Sequence, residues 1–316
     1  KNKVKMTPLG EFLRVARGHP EGLLRPKDLF HISLYKYIIP YIIFFVYKEF
    51  YGLRENPFNV TSDPHFLYLS KRHKEAFSSL VYGIKERKGF IEITGEIGTG
   101  KTTLCRALLN QLDYNVKTAF ILNPRLSEIQ FIRAVIDDFG IQLKRNTKIE
   151  MIRELNRFLI DQLASGNNVV LIIDEAQNLK NNVLEEVRLL SNLETEKEKL
   201  FQIVLVGQPE LKKKLSSPDL AQLKQRITIR YHILPLEKND TSGYIQHRLK
   251  VAGSNGRIEF SDDAIDAIYN YSKGVPRLIN IVCDRTLLFG FVKEAQTLDE
   301  TLVRRAIAEI EDLRNA

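Results

Sequence analysis

The segment Gly95-Glu96-Ile97-Gly98-Thr99-Gly100-Lys101-Thr102 sets three glycines, a lysine and a hydroxyl at the spacing GxxxxGK[ST]. Glycines so placed let successive backbone N–H groups turn toward one point. A helix beginning there adds a field that favours an anion. The chemistry implied is a grip on a polyphosphate, with Lys101 reaching the β- and γ-phosphates and the Thr102 hydroxyl ligating Mg²⁺. Thr103 continues the grip into the first helical turn. A chance glycine-rich turn is the bland alternative. It is disfavoured because the segment follows an apolar run, Phe90–Thr94, and opens a helical pattern.

Two carboxylates form a second constellation. Val169-Val170-Leu171-Ile172-Ile173-Asp174-Glu175 is an apolar run closed by adjacent acids, the pattern of a Walker B strand. Asp174 is placed to hold the hydration shell of Mg²⁺ and Glu175 to polarise an attacking water. A cation beside them would offset their mutual repulsion. The competing reading is a strand that runs into a solvated turn. Gln208, after Ile203–Val206 and Gly207, is a candidate contact to a γ-phosphate or to the water. Arg226 and Arg277, taken singly, read as ordinary solvated or salt-bridged arginines. Their surroundings, Gln225-Arg226-Ile227 and Gly274-Val275-Pro276-Arg277, set them apart.

The elements that must hold these residues alternate. Strand patterns at Phe90–Thr94, Lys117–Leu122, Val169–Ile173, Phe201–Val206 and Ile227–Leu234 are separated by helical periods. Those helices fall at 71–87, 101–112, 128–139, 149–164, 184–196 and 211–215. Such alternation predicts an α/β fold with a parallel five-stranded sheet sandwiched by helices. After Pro235 the strand signals stop. Asn239–Ala252, Ser261–Ser272, Pro276–Val292 and Asp299–Asp312 read as helices, with Asn239 or Asp240, Ser261 and Asp299 as N-caps. The expected division is residues 1–46 as an N-terminal extension, 47–235 as the α/β domain and 236–316 as a small all-α domain.

The composition fits a chain that can bury a core: 44% hydrophobic and 27% charged over 316 residues. Cys105 and Cys283 make no disulfide framework and no metal-ligand cluster, in keeping with a reducing compartment. The net charge of +8 suggests nucleic acid until it is located. Residues 1–46 carry eight basic and three acidic side chains, so five of the eight net charges lie there. The rest is near balance, which argues against a broad basic face. Tyr37–Tyr47 is apolar, but short for a membrane-spanning helix and interrupted by Pro40. It reads as an interfacial segment, as a buried strand or helix, or as part of an upstream extension that ends where the recognisable body begins at Val46-Tyr47.

Together these residues resemble AAA+ ATPases, and most closely the general secretion pathway protein A (ExeA/GspA-type) secretion ATPases with their exopolysaccharide- and exosortase-associated relatives. The resemblance runs from Val46 to about Leu313. Phe66-Leu67-Tyr68-Leu69-Ser70 and Asp174-Glu175-Ala176-Gln177 match, and the far more specific parts are the entry Tyr47-Lys48-Glu49-Phe50-Tyr51-Gly52-Leu53-Arg54-Glu55-Asn56-Pro57-Phe58 and the stretch Gly207-Gln208-Pro209-Glu210. The resemblance implies a P-loop NTPase whose helical domain is a lid, with ATP and Mg²⁺ bound and ATP hydrolysed. It makes Gln208 sensor 1, Arg277 sensor 2 and Arg226 an arginine finger acting on a neighbouring subunit. It places Asn123 where a polar residue restrains the catalytic Glu, and Phe66–Tyr68 along the adenine pocket. The implied partners are further copies of the chain, with a hexameric ring as one form, and envelope components of secretion or polysaccharide export. The implied location is the cytoplasm, with peripheral contact at the inner membrane as a variant. Family members typically continue into a membrane-spanning segment and a peptidoglycan-binding domain. Neither has a counterpart in these 316 residues, so the expectation is confined to the ATPase module. Two rival readings remain: a DNA-associated regulator resembling transposition ATPases, and a nucleotide-dependent scaffold with little turnover.

Overall fold

The structure, a computed structural model, describes residues 47–122, 124–193 and 199–315. Asn123 and almost all of the apolar stretch at 37–47 lie outside them. The described residues divide into two compact units. One comprises Val60–Arg248 with Tyr269–Ile281. The other comprises the described residues before Val60, with Leu249–Ile268 and the chain from Val282 onward.

The first unit is built on β1 (Phe90–Gly95), β2 (Val116–Ile121), β3 (Asn168–Ile173), β4 (Gln202–Gly207) and β5 (Ile227–Ile233). They pair in the order β2-β3-β4-β1-β5, every pairing parallel. The unbroken apolar run of β3 has a direct cause, since a central strand must feed two cores. Val169, Leu171 and Ile173 pack into a core with α3 (Glu128–Asp138), α4 (Lys148–Ala164) and α5 (Asn181–Leu190). Val170 and Ile172 point the other way, into a core with α1 (Lys71–Lys85) and α2 (Lys101–Gln111). Three of these α-helices have side-chain N-caps. Ser70 starts α1, Ser127 makes a capping box with Gln130 at α3, and Thr147 accepts from the Glu150 N–H at α4. Two short helices, α6 (Pro209–Leu215) and α7 (Ala221–Arg226), carry the chain from β4 to β5.

Three local expectations change. The helix expected at 184–196 starts earlier and stops at Leu190, where the Ser191 hydroxyl donates back to Arg188 O at 2.6 Å. Residues 194–196 of that expectation lie outside the described residues. α8 (Lys238–Val251) starts ahead of the expected Asn239 or Asp240 cap: Glu237 O accepts the Thr241 N–H at 3.0 Å and so closes the first turn. Strands also do not stop at Pro235. In the second unit β6 (Glu259–Phe260) pairs in parallel with β7 (Thr297–Leu298). Two-residue strands leave no periodicity to read.

The remaining helices are α9 (Asp262–Ser272), α10 (Pro276–Val292) and α11 (Glu300–Asn315). Ser261 and Asp299 do cap: their side chains accept from Ala264 N–H at 3.2 Å and Leu302 N–H at 2.9 Å. Within the second unit the helical turn at 47–51 is anchored by two buried tyrosines. The Tyr51 hydroxyl donates to Ala295 O at 3.0 Å and the Tyr47 hydroxyl to Asp284 Oδ1 at 3.0 Å. Among the described residues no helix is long and apolar enough to cross a membrane.

Candidate nucleotide site

Because β1, β3 and β4 run parallel, their carboxyl ends place Gly95, Asp174 and Gln208 along one edge of the sheet. Such an edge is where open α/β sheets bind ligands. The chain leaves β1 through the glycine-rich loop. Gly98 (φ 81°) and Gly100 (φ 91°) take left-handed conformations that other residues enter only with strain. At Gly95 the reason for glycine is space, since a Cβ there would stand 2.7 Å from Ile233 O. Gly100 is the N-cap of α2 with no side chain on the helix end, so the first N–H groups are left to a ligand.

An open cleft of about 200 Å³ lies over this loop, lined by Ile97–Thr103 and Glu175. Lys101 is 5% exposed and its ammonium donates to Gly95 O at 2.8 Å and Glu96 O at 2.9 Å. Burial pulls its pKa down, while Glu175 and Asp174 oppose that pull. The Thr102 hydroxyl donates to Asp174 Oδ2 at 2.5 Å. Asp174 is 1% exposed, and burial raises its carboxyl pKa against the Thr102 bond, which lowers it. This part-buried hydroxyl–carboxylate pair consists of hard oxygen donors. It suits Mg²⁺, and a dication there would offset the desolvated charge.

Glu175 sits at φ 54°, a left-handed conformation rare outside glycine. Two amides hold its carboxylate: Gln177 Nε2 donates to Oε2 at 2.5 Å and Gln208 Nε2 at 2.9 Å. Gln177 Oε1 in turn accepts the Gln208 N–H at 3.1 Å. Gln208 therefore bears on Glu175. Asn123, to which the resemblance assigns a restraint on the catalytic Glu, lies outside the described residues; among these, Gln177 and Gln208 contact the Glu175 carboxylate.

Arg277 also belongs to the cleft. Its N–H donates to Gly98 O at 3.2 Å, and a Cβ at Gly98 would stand 2.7 Å from Arg277 Cβ. Arg226 does not belong to it. It ends α7, where Nη1 donates to the Ser191 hydroxyl at 2.7 Å. The next residue, Ile227, pairs with Phe90 at the opposite end of β1. Five steps along a strand put it about 16 Å from Gly95, beyond the reach of an arginine side chain.

The cleft is also lined by Phe66, Leu67 and Tyr68, together with residues the sequence did not single out. The Arg248 guanidinium lies 4.6 Å over the Phe66 ring and donates to the Tyr244 hydroxyl at 3.0 Å. That hydroxyl donates to Asn280 Oδ1 at 2.8 Å. These residues come from three separate stretches of chain, so no local spacing marks them. His73 lines the cleft beside the loop. A single histidine on an amphipathic helix carries no signal of its own.

Residues 84–215 match a family described as AAA domain. General secretion pathway protein A of Aeromonas hydrophila is 43% identical over 271 residues, which are 85% of this chain and 49% of that protein. An uncharacterized HTH-type transcriptional regulator of Methanocaldococcus jannaschii is 25% identical over 249 residues, covering 74% of this chain and 59% of that protein. The chain thus spans about half the length of the curated relatives it matches. Among solved structures, the Aeropyrum pernix ORC2 protein has a TM-score of 0.61 at 15% identity, covering 81% of this chain and 72% of that one. Cdc6p of Pyrobaculum aerophilum has a TM-score of 0.61 at 18% identity, covering 78% and 70%. On its sequence and its fold, the chain belongs to the AAA+ P-loop nucleotide-binding proteins and is a relative of general secretion pathway protein A.

Proposed function

We propose that the chain hydrolyses ATP to ADP and phosphate at this cleft and acts as an assembly or remodelling ATPase for envelope secretion or exopolysaccharide export. The observation that carries the hydrolytic part is Glu175. Its carboxylate is fixed by two amides at the edge of the phosphate loop, where it can orient water and accept its proton. Lys101 and the loop N–H groups hold the triphosphate. Thr102 and Asp174 would hold Mg²⁺, which would supply charge neutralisation at the phosphates. Gln177 and Gln208 keep Glu175 aimed, and Arg277 lies against the loop from the start of α10.

The distance of Arg226 from its own cleft supports a role in a homo-oligomer, where it would meet the nucleotide of a neighbour. An arginine supplied in trans is worth about 10³–10⁵ in rate. In this reading residues 47–235 are the nucleotide-binding domain and 236–316 the helical lid. The likeness to general secretion pathway protein A supports the secretion setting; the location that goes with this reading is the cytoplasmic face of the inner membrane.

The test compares wild type with Glu175→Gln in steady-state hydrolysis and in nucleotide binding, with Mg²⁺ and with chelator. The expected result is Mg²⁺-dependent turnover that falls by about 10² or more in the variant, with ATP still bound. Wild-type turnover in Glu175→Gln would remove Glu175 from the chemistry. A wild type that binds ATP without turnover would make the chain a nucleotide-dependent scaffold.

A further inference from the structure

A loop that grips phosphate with its N–H groups must send its carbonyl oxygens the other way, and a buried carbonyl needs a donor. Gly95 O and Glu96 O take the Lys101 ammonium at 2.8 and 2.9 Å. Gly98 O takes the Arg277 N–H at 3.2 Å and Gly100 O the Leu104 N–H at 2.9 Å. The donor at Thr99 O comes from outside the loop: His73 Nε2 on α1, 3.1 Å away.

The surroundings fix the state of this imidazole. Thr99 O can only accept, so Nε2 carries the proton. In the neutral ring Nδ1 then accepts, and Ser70 Oγ lies 2.8 Å from it. The same Ser70 oxygen accepts the His73 N–H at 3.4 Å, which leaves its own proton for Nδ1. The ring is 2% exposed, and burial lowers its pKa, in keeping with a neutral ring.

In a trans peptide the C=O and N–H point in opposite directions. Anchoring Thr99 O to α1 therefore turns the Gly100 N–H to the other side of that peptide. Gly100, at φ 91°, has no conformational preference that would hold it there unaided. We propose that His73 is a positioning residue of the phosphate grip, which fixes the 99–100 peptide so that the Gly100 N–H faces the nucleotide's phosphates. The inference rests on the reading of Gly95–Thr102 as the phosphate site. His73 acts before the chemistry, on the ground-state hold, so it governs affinity for ADP as well as ATP and leaves the chemical step alone.

The experiment measures equilibrium binding of fluorescent ATP and ADP analogues, and KM and kcat, for wild type, His73→Leu, His73→Gln and Lys101→Ala. His73→Leu is expected to weaken both analogues roughly tenfold and to raise KM alike, with kcat within about twofold. His73→Gln keeps an N–H donor of similar reach and is expected to return affinity to within about threefold of wild type. Wild-type affinity in His73→Leu, beside a large loss in Lys101→Ala, overturns the inference while leaving the phosphate site standing. Equal losses in the Leu and Gln variants overturn it too, because packing alone then explains them. If Lys101→Ala binds as wild type does, the phosphate reading itself fails. Should His73→Leu not fold, nitrogen NMR of histidine-labelled wild type decides. A ring with its proton on Nε2 supports the inference, and an Nδ1–H tautomer, which cannot donate to Thr99 O, overturns it.

Discussion

At the scale of single residues, the site depends on groups held in states they would not adopt alone. Glu175 occupies the left-handed region, a conformation that costs about 1–3 kcal/mol at a residue other than glycine. The amides of Gln177 and Gln208 keep its carboxylate in place there. His73 is held neutral by burial, although Thr99 O and Asp240 favour its charged form. That makes stability depend on pH with a definite sign. The folded pKa lies below the ordinary 6.5, so as pH falls through 6.5 the unfolded chain takes up a proton that the folded ring refuses. Stability therefore drops as pH falls from 6.5 toward the folded value. Denaturation midpoints of wild type and His73→Gln at about pH 7.5 and about pH 5.5 check this. The advantage of wild type over the variant should shrink at the lower pH, and an unchanged difference would show that His73 carries none of the dependence. Residues of this kind also mark where reading the sequence stops. Gly95–Thr102, Asp174 and Glu175 are consecutive and bear their chemistry in their spacing. The hold of Gln208 on Glu175, the bond from His73 to Thr99 and the burial of Glu92 in β1 against Arg230 arise only when distant stretches meet.

At the scale of elements, the strands were legible because β3 and β4 are apolar on both faces and stop where polar residues resume. The β6–β7 pair was not, because two residues are too few to show alternation. The turn before α10 matters beyond its size. Gly274 has φ 76°, and a Cβ on it would stand 1.9 Å from Leu236 O, while Leu236 N–H donates to Gly274 O at 2.9 Å. Three residues later Arg277 meets Gly98. Gly274→Ala should therefore destabilise the fold by about 2 kcal/mol or more and also weaken nucleotide binding, because the displaced turn carries Arg277 with it. Urea unfolding together with a nucleotide titration of the folded variant reads both effects. Wild-type values in both would mean the turn is free to shift.

At the scale of the whole molecule, the proposed reading makes the complete site a property of an assembly, because Arg226 lies away from the cleft that its own chain provides. Its place at the amino end of β5, with Ile227 against Phe90, puts the guanidinium at the edge of the sheet away from the phosphate loop. A chain acting alone would have every part of the site except the arginine. Two defective variants should then repair each other. Glu175→Gln lacks its own carboxylate but still offers Arg226, whereas Arg226→Ala keeps an intact cleft and lacks the arginine for its neighbour. The direct measurement is ATP hydrolysis by each variant alone and by equal mixtures, over a range of protein concentration. Both variants should be nearly inactive alone, and the mixture should recover a substantial part of the wild-type rate, increasingly so as concentration rises. A mixture no more active than the sum of its parts, or an Arg226→Ala protein with the wild-type rate, would contradict a site completed by the neighbouring chain.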